Sequence, residues 1–382
     1  EELAARVGLD MPREALTDAA ARSGADLYGL LARVADHYAA LLARDVRAQQ
    51  YLERRGVNAD SVRRFQLGYA AHSWNDVLRR FGGDDAARRA LSEAGLIVER
   101  DTSFRDAERY YDRFRDRLMF PIRDARGRVI AFGGRVIDQG EPKYLNSPET
   151  ILFHKGRELY GLYEARRARV PLKRLLVVEG YLDVVRLHQF GIVNAVATLG
   201  TATTAEHLKR LFRLVNEIVF AFDGDAAGRA AAWRALQNAL PEARDGRELK
   251  FLFLPEGEDP DSLLGTEGAT AFQARIDSAL PLSEYLVRTL SAQFDVGHAD
   301  GRARLAAAAK PLLAKLPEGV YRDLLLERLA AQIGLSAARL RQLWQTPAAP
   351  APPPTRPFGV QPFGGRRRPV GGRGGLVTQA VR

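Results

Sequence analysis

The sequence predicts an α/β protein in three parts: a mixed α+β N-terminal subdomain, a doubly wound parallel sheet, and a C-terminal helical subdomain. Three observations carry this prediction. From Leu172 onward, short apolar runs alternate with amphipathic stretches at the spacing of β-α units, which calls for parallel strands joined by right-handed crossovers with helices on both faces. Before that point, helical periodicity gives way to short strand-like pieces. After about residue 268, only the helical period remains.

Residues 1–25 are assigned to a linker segment. From about Asp26 to Arg100 the pattern is mostly helical, with Leu27, Leu30, Leu31, Val34 and Tyr38 at spacings of three and four. Between Tyr110 and Gly134 it shortens into Leu118–Ile122, a turn over Asp124–Gly127, and Arg128–Phe132, which reads as a β-hairpin. These stretches form an N-terminal subdomain over 26–170. The central domain, 171–267, starts with a strand at Leu175–Val178, a helix from about Tyr181, a strand at Asn194–Leu199 and a helix from about Thr204. A strand at Glu217–Phe222, a helix at Ala226–Leu240 and a strand at Glu248–Leu254 complete it. Residues 268–345 read as helices only, broken at Pro281 and over Gly297–Gly301. Beyond Gln345 the chain is Pro, Gly, Ala and Arg, and 346–382 is expected to be a disordered basic tail.

Composition removes several chemistries. With no cysteine in 382 residues, disulfides, thiol catalysis and cysteine-ligated zinc are excluded. No apolar run approaches the roughly 20 residues that span a bilayer, and the start lacks a signal-peptide pattern, so the expected location is cytoplasmic. The first residue is Glu rather than Met, which suggests a fragment. Of the net charge of +10, six units lie in the tail, whose six arginines face no acid, leaving +4 for the body. That excess fits a polyanionic partner without demanding one.

The acidic motifs decide more. Glu179 follows Leu-Leu-Val-Val, Asp223 and Asp225 follow Ile-Val-Phe-Ala-Phe, and Asp259 and Asp261 come shortly after Phe-Leu-Phe-Leu. Parallel strands all point one way, so residues following different strands gather at the sheet edge where doubly wound folds bind ligands. Singly, each motif fits an ordinary structural role: Asp-Gly-Asp is a common turn, and Asp225 can cap the helix that follows. Jointly, five carboxylates at one edge repel one another, and a bound cation relieves that repulsion. Oxygen-only donors without Cys or His select Mg²⁺ or Mn²⁺ over zinc.

The motifs Glu179-Gly180-Tyr181-Leu182-Asp183, Asp223-Gly224-Asp225 and Asp259-Pro260-Asp261 resemble the Toprim signature shared by primases and topoisomerases. Arg-Phe-Arg-Asp-Arg-Leu-Met-Phe-Pro-Ile (113–122), Phe-Gly-Gly-Arg (132–135), Pro-Lys-Tyr-Leu-Asn-Ser-Pro-Glu-Thr (142–150), Phe-His-Lys-Gly (153–156) and Leu-Tyr-Gly-Leu (159–162) narrow the likeness to DnaG-type bacterial primases. The resemblance implies an RNA polymerase that makes primers on single-stranded DNA from ribonucleoside triphosphates. It implies metal held by Glu179, Asp223, Asp225, Asp259 and Asp261, with Asp183 supporting them and Glu179 acting as ligand or general base. Two metals would assist in-line displacement. Arg135, Lys143 and Lys155 are candidates for substrate or template phosphates, and Gly200 for close backbone approach. His154 and His188 are assigned no role. Two pieces of a full-length primase are expected to be missing: a zinc domain in front and a helicase-binding domain behind, so that the replicative helicase is expected as partner only through a domain absent here. Two rival readings are a Toprim strand-breaking enzyme, which would need a nucleophilic tyrosine domain, and a non-catalytic single-strand-binding module.

Overall fold

The structure is a computed structural model that describes residues 13–100, 109–168 and 170–345. Its first helix, α1 (Arg13–Leu42), begins inside the stretch assigned to a linker, while 1–12 and the tail at 346–382 lie outside the described residues. From Leu27 to Leu42, α1 buries the face that its periodicity marks. It lies directly on β1 (Gly68–Ala70), where a Cβ on Gly68 would come within 2.5 Å of the Cβ of Tyr38. Asp45, Asn58 and Asp84 accept backbone N–H bonds at the starts of α2 (Val46–Arg54), α3 (Ala59–Phe65) and α5 (Asp85–Glu93). Between the last two lies α4 (Asp76–Phe81).

The expected hairpin is the centre of an antiparallel sheet ordered β1-β4-β5-β6, with β4 (Arg117–Arg123), β5 (Val129–Val136) and β6 (Tyr144–Asn146). In its turn, Asp124 accepts from the N–H groups of Arg126 and Arg128, and Gly127 supplies φ +85°. Sequence reasoning ends the second strand at Phe132, whereas β5 continues through Gly133 and Gly134 to Val136. It also misses β1, β6 and the pair β2 (Ile97–Glu99) and β3 (Tyr110–Asp112). Strands of three residues are too short to show an alternating pattern.

After α6 (Leu162–Arg167) comes the second sheet, ordered β11-β10-β9-β7-β8. Strands β7 (Arg174–Val178), β8 (Ala195–Ala197), β9 (Glu217–Phe222) and β10 (Glu248–Phe253) are parallel. The edge strand β11 (Leu280–Pro281) is antiparallel and corrects the helices-only reading of 268–345. Two residues paired only with Lys250 and Phe251 leave no pattern to read. The crossover helices are α7 (Tyr181–Gln189), α8 (Ala205–Leu211) and α9 (Ala226–Ala239), followed by α10 (Pro260–Asp277). Gly268 interrupts α10 at φ +79°, where the sequence places a domain boundary.

Alternate residues of each strand face opposite ways, and both faces are buried. Leu176, Val178, Val219 and Leu252 pack with α7, α10 and the N-terminal Leu52, Phe65, Phe120 and Tyr160. Leu175, Val177, Phe220 and Phe251 form one continuous core with α9 and with α11 (Leu282–Ser291), α12 (Ala299–Leu313), α13 (Val320–Ile333) and α14 (Ala337–Gln345). The parallel sheet is thus the middle layer of the molecule. Among the described residues, no helix is long and apolar enough to cross a membrane.

Candidate active site

The chain goes from β7 outward to β8, then returns to the other side of β7 to build β9 and β10. The order therefore reverses between β7 and β9, which is where a doubly wound sheet opens a crevice at its carboxyl edge. Glu179 directly follows β7, and Asp223 and Asp225 follow β9. Burial raises the Glu179 carboxyl above its ordinary range, and the Asp223 and Asp225 charges push it further, with Arg234 opposing. Asp223 is raised by burial and then by Asp259 and Asp225. Asp183, one turn into α7, is raised to about 7 by burial, then by Asp259, Asp223 and Asp261. Its Oδ2 accepts from the Gly180 N–H at 3.0 Å. Asp223 is common to both groups: its charge raises Glu179 and Asp183, and Asp259 and Asp225 raise it in turn.

Two caps fix this edge. Asp225 accepts from the Gly228 N–H at 2.6 Å at the start of α9, and Asp259 accepts from the Ser262 N–H at 2.8 Å at the start of α10. Gly224 sets how close the two loops lie. A Cβ there would sit 2.2 Å from the Leu254 carbonyl oxygen and 2.7 Å from the Pro255 carbonyl carbon, so only glycine lets the backbones touch.

Asp261 differs from the other acids. Its carboxylate is ion-paired with the Arg186 guanidinium, which also donates to the Gly56 carbonyl of the N-terminal subdomain. Gln189 reaches the same carbonyl at 2.8 Å and accepts from the Asn58 N–H at 2.9 Å. Asp261 is therefore part of a strut between the two subdomains and has its countercharge already. Among the described residues, no three acidic or histidine side chains close to metal-ligand geometry. The expectation of five converging ligands thus reduces to a neighbourhood of mutually repelling carboxylates, with Asp261 otherwise engaged. The donor chemistry still fits a hard divalent cation: Glu179 and Asp223 are crowded by like charges and make no ion pair with a cationic side chain among the described residues.

The expected basic residues are dispersed. Arg135 is buried in β5, its guanidinium 5.2 Å from the Tyr51 ring and 5.5 Å from the Tyr144 ring, and its Nε and Nη1 lack partners among the described residues. Burial raises the Tyr144 hydroxyl pKa, with Asp183 and Asp259 adding to the rise and Arg135 and Arg55 opposing it. Lys143 is exposed and Lys155 half-buried, and neither ammonium makes an ion pair among the described residues. Gly200, at φ +74°, lines with Glu179, Thr201, Thr203 and Arg234 a crevice of about 300 Å³.

Sequence reasoning missed Asn146 as an organiser. It accepts from the Tyr181 hydroxyl at 2.6 Å and donates to the Leu199 carbonyl at 2.8 Å, joining the N-terminal sheet to the parallel one. It missed Tyr144 and Arg234 as well. The first lies inside a quoted motif, while the second carries no local signal. His188 is buried and bonded to the Ala195 carbonyl at 3.0 Å, with burial lowering its pKa to about 4.

The comparisons with known proteins agree with this arrangement. Residues 37–166 match the N-terminal domain of the DNA primase catalytic core, and 173–249 match a Toprim domain. Residues 283–338 match the DnaB-helicase binding domain of primase, which corrects the expectation that such a domain is missing: it lies in α11–α14, within the shared core. The DNA primase of Pseudomonas aeruginosa is 52% identical over 363 residues, covering 93% of this chain and 54% of its own length. That of Escherichia coli K12 is 50% identical over 340 residues, covering 88% and 58%. The chain thus spans a little over half the length of these curated relatives. The crystal structure of a DNA primase domain from Pseudomonas aeruginosa superposes with a TM-score of 0.80 at 53% identity, covering 84% of this chain and 100% of that one. A DnaG primase catalytic domain bound to single-stranded DNA gives 0.77 at 49% identity, covering 84% and 99%. With fold, acidic edge and sequence in agreement over whole catalytic domains, this chain belongs to the family of DnaG-type bacterial primase catalytic cores.

Proposed function

We propose that the chain performs template-directed nucleotidyl transfer, making RNA primers on single-stranded DNA from ribonucleoside triphosphates. The observation that carries this reading is the gathering of Glu179, Asp223, Asp225, Asp183 and Asp259 at the switch point of the parallel sheet, with their pKa values raised at Glu179, Asp223 and Asp183. Glu179, Asp223, Asp225 and Asp259 would hold Mg²⁺ or Mn²⁺, which when bound supplies charge stabilisation at the reacting phosphate. Asp261 is left out of this set because Arg186 already neutralises it.

In the reaction, the 3′-oxygen of the primer attacks the α-phosphorus of the incoming nucleotide, the bond to the bridging oxygen breaks, and pyrophosphate departs. Where Glu179 does not itself hold metal, it suits the alternative role of proton acceptor for the attacking hydroxyl, because a raised carboxyl holds a proton more readily at neutral pH. Asp183 steadies the start of α7 through the Gly180 N–H, keeping Glu179 in place. Arg135, Lys143 and Lys155 bring cations with no carboxylate partner among the described residues to a reaction whose substrates are polyanions. The α11–α14 helices are proposed to dock the replicative helicase, in keeping with the family of residues 283–338.

The decisive assay follows labelled ribonucleotides into primers on single-stranded DNA. Asp223→Asn and Asp259→Asn should each lower incorporation by at least about 100-fold while far-UV circular dichroism stays unchanged. Wild-type turnover in both variants would remove the acidic edge from the chemistry. Nicking of duplex DNA without incorporation would point instead to a strand-breaking enzyme.

A further inference from the structure

A basic cavity opens at the far end of the N-terminal sheet, away from the acidic edge. It has a volume of about 550 Å³ and lies between α1, the end of α3, the β4–β5 turn and α6. Arg64, Arg123, Arg128 and Arg167 line it together with Tyr28 and Tyr163, and its only lining acid among the described residues is Asp36, which is engaged by Gln66 at 2.7 Å. Along β5, Arg135 stands about 20 Å from this end, taking roughly 3.3 Å per residue. The cavity shares no lining residue with the crevice of Glu179.

Its cations divide into two kinds. Arg123 and Arg128 are committed, one to the buried Glu164 and the other to Asp124 at 2.7 Å. They build the walls: Arg128 lies 3.6 Å above the Tyr28 ring, and Arg123 lies 5.7 Å from the Tyr163 ring. Arg64 and Arg167 are exposed, and neither makes an ion pair with any described carboxylate. Arg167 is aimed by the Tyr163 hydroxyl at 2.7 Å. The turn that closes the floor requires Gly127, because a Cβ there would fall 2.4 Å from the Tyr163 ring. This is a shaped recess of nucleotide size in which two unneutralised guanidinium groups project beside two tyrosine rings.

We propose that this recess is a second nucleotide site, separate from the polymerising one, which binds phosphate through Arg64 and Arg167 and stacks an adjoining base against Tyr28 or Tyr163. Arginine forks match phosphate oxygens, and aromatic or guanidinium faces stack any base without reading its identity. The phosphate arrives either on a free nucleoside polyphosphate or on a single strand.

The test uses the full chain carrying Asp223→Asn, so that no turnover consumes the probes, with and without Arg64→Ala plus Arg167→Ala. Three probes are titrated: inorganic tripolyphosphate, adenosine triphosphate and a twelve-residue oligothymidylate. Free nucleotide as the ligand requires adenosine triphosphate to bind more tightly than tripolyphosphate, and to lose at least tenfold in affinity in the double variant. A strand as the ligand requires oligothymidylate binding to lose salt dependence, its slope flattening by about 1.4 for two contacts. Both arginines are exposed, so an unchanged melting temperature confirms that the fold is intact. Unaltered affinity for all three probes in the double variant overturns the proposal, whatever the fate of primer synthesis.

Discussion

Asp183 shows what the acidic edge costs the fold. Its ordinary carboxyl pKa of 3.8 is raised to about 7 by burial and by three neighbouring carboxylates. The folded state therefore holds a proton that the unfolded chain releases. Stability from this group is fully present below about pH 4 and is lost as pH rises through about 7. Asp183→Asn should consequently be more stable than the parent at pH 8, by at most about 4 kcal/mol at about 1.4 kcal/mol per unit, and so melt higher there, but no differently near pH 4. Melting curves across that range in a chelating buffer provide the check, and a constant difference at every pH would refute the assignment. At this scale the acids were legible because a carboxylate just after a buried strand leaves a mark in one dimension. Asn146, Arg186 and Tyr144 were not, since their partners Leu199, Gly56 and Arg135 are brought to them by tertiary folding alone.

Among the elements, the β9–α9 and β10–α10 corners form a unit because Gly224 rests against the backbone of Leu254 and Pro255. Gly224→Ala puts a methyl group into that contact and should cost about 1–3 kcal/mol of stability. Because the displaced loops carry Asp223, Asp225 and Asp259, incorporation should fall by a larger factor than the loss of folded protein accounts for. Chemical denaturation and single-turnover kinetics on the same preparation separate the two effects. The long parallel strands were readable because a β-branched and aromatic run between two amphipathic helices, too short to be a helix itself, folds as a buried strand. Glu217–Phe222 has the same limits in sequence and structure. The short strands β1, β6 and β11 exist only through their partners, and the extension of β5 was hidden by glycines that Tyr181 and Phe114 cover. The start of α1 was hidden in another way, since 13–25 lacked a clear apolar stripe ahead of Asp26.

For the whole molecule, the cores do not follow the three sequence regions: two of the three clusters among the described residues draw on the parallel sheet together with another region. Phe220 and Phe251 pack with Leu286, Leu305, Leu329 and Leu340, so the C-terminal helices complete the inside of the parallel sheet's second face. A chain ending at Asp277 should expose that face, bind a hydrophobic dye and lose its cooperative urea transition. Retention of a sharp transition with native circular dichroism would show the helices to be an independent module. Periodicity revealed these helices but not what they cover, which is why a separate helical subdomain was the natural reading of the sequence.

The middle position of the parallel sheet also sets an order in time. A ribosome releases the N-terminal sheet first, and β7 to β10 can then settle one face against it as they emerge. The opposite face, with Phe220, Phe222 and Phe251, is only partly covered, by α8 and α9, until residues up to about Leu340 have been made. During that interval, roughly 5–20 s at typical elongation rates of about 5–20 residues per second, an aromatic surface is open to other nascent chains. Slowing translation within 255–340 should therefore lower the yield of soluble protein more than slowing it within 26–100, and pulse-labelled solubility of matched synonymous genes would measure the difference.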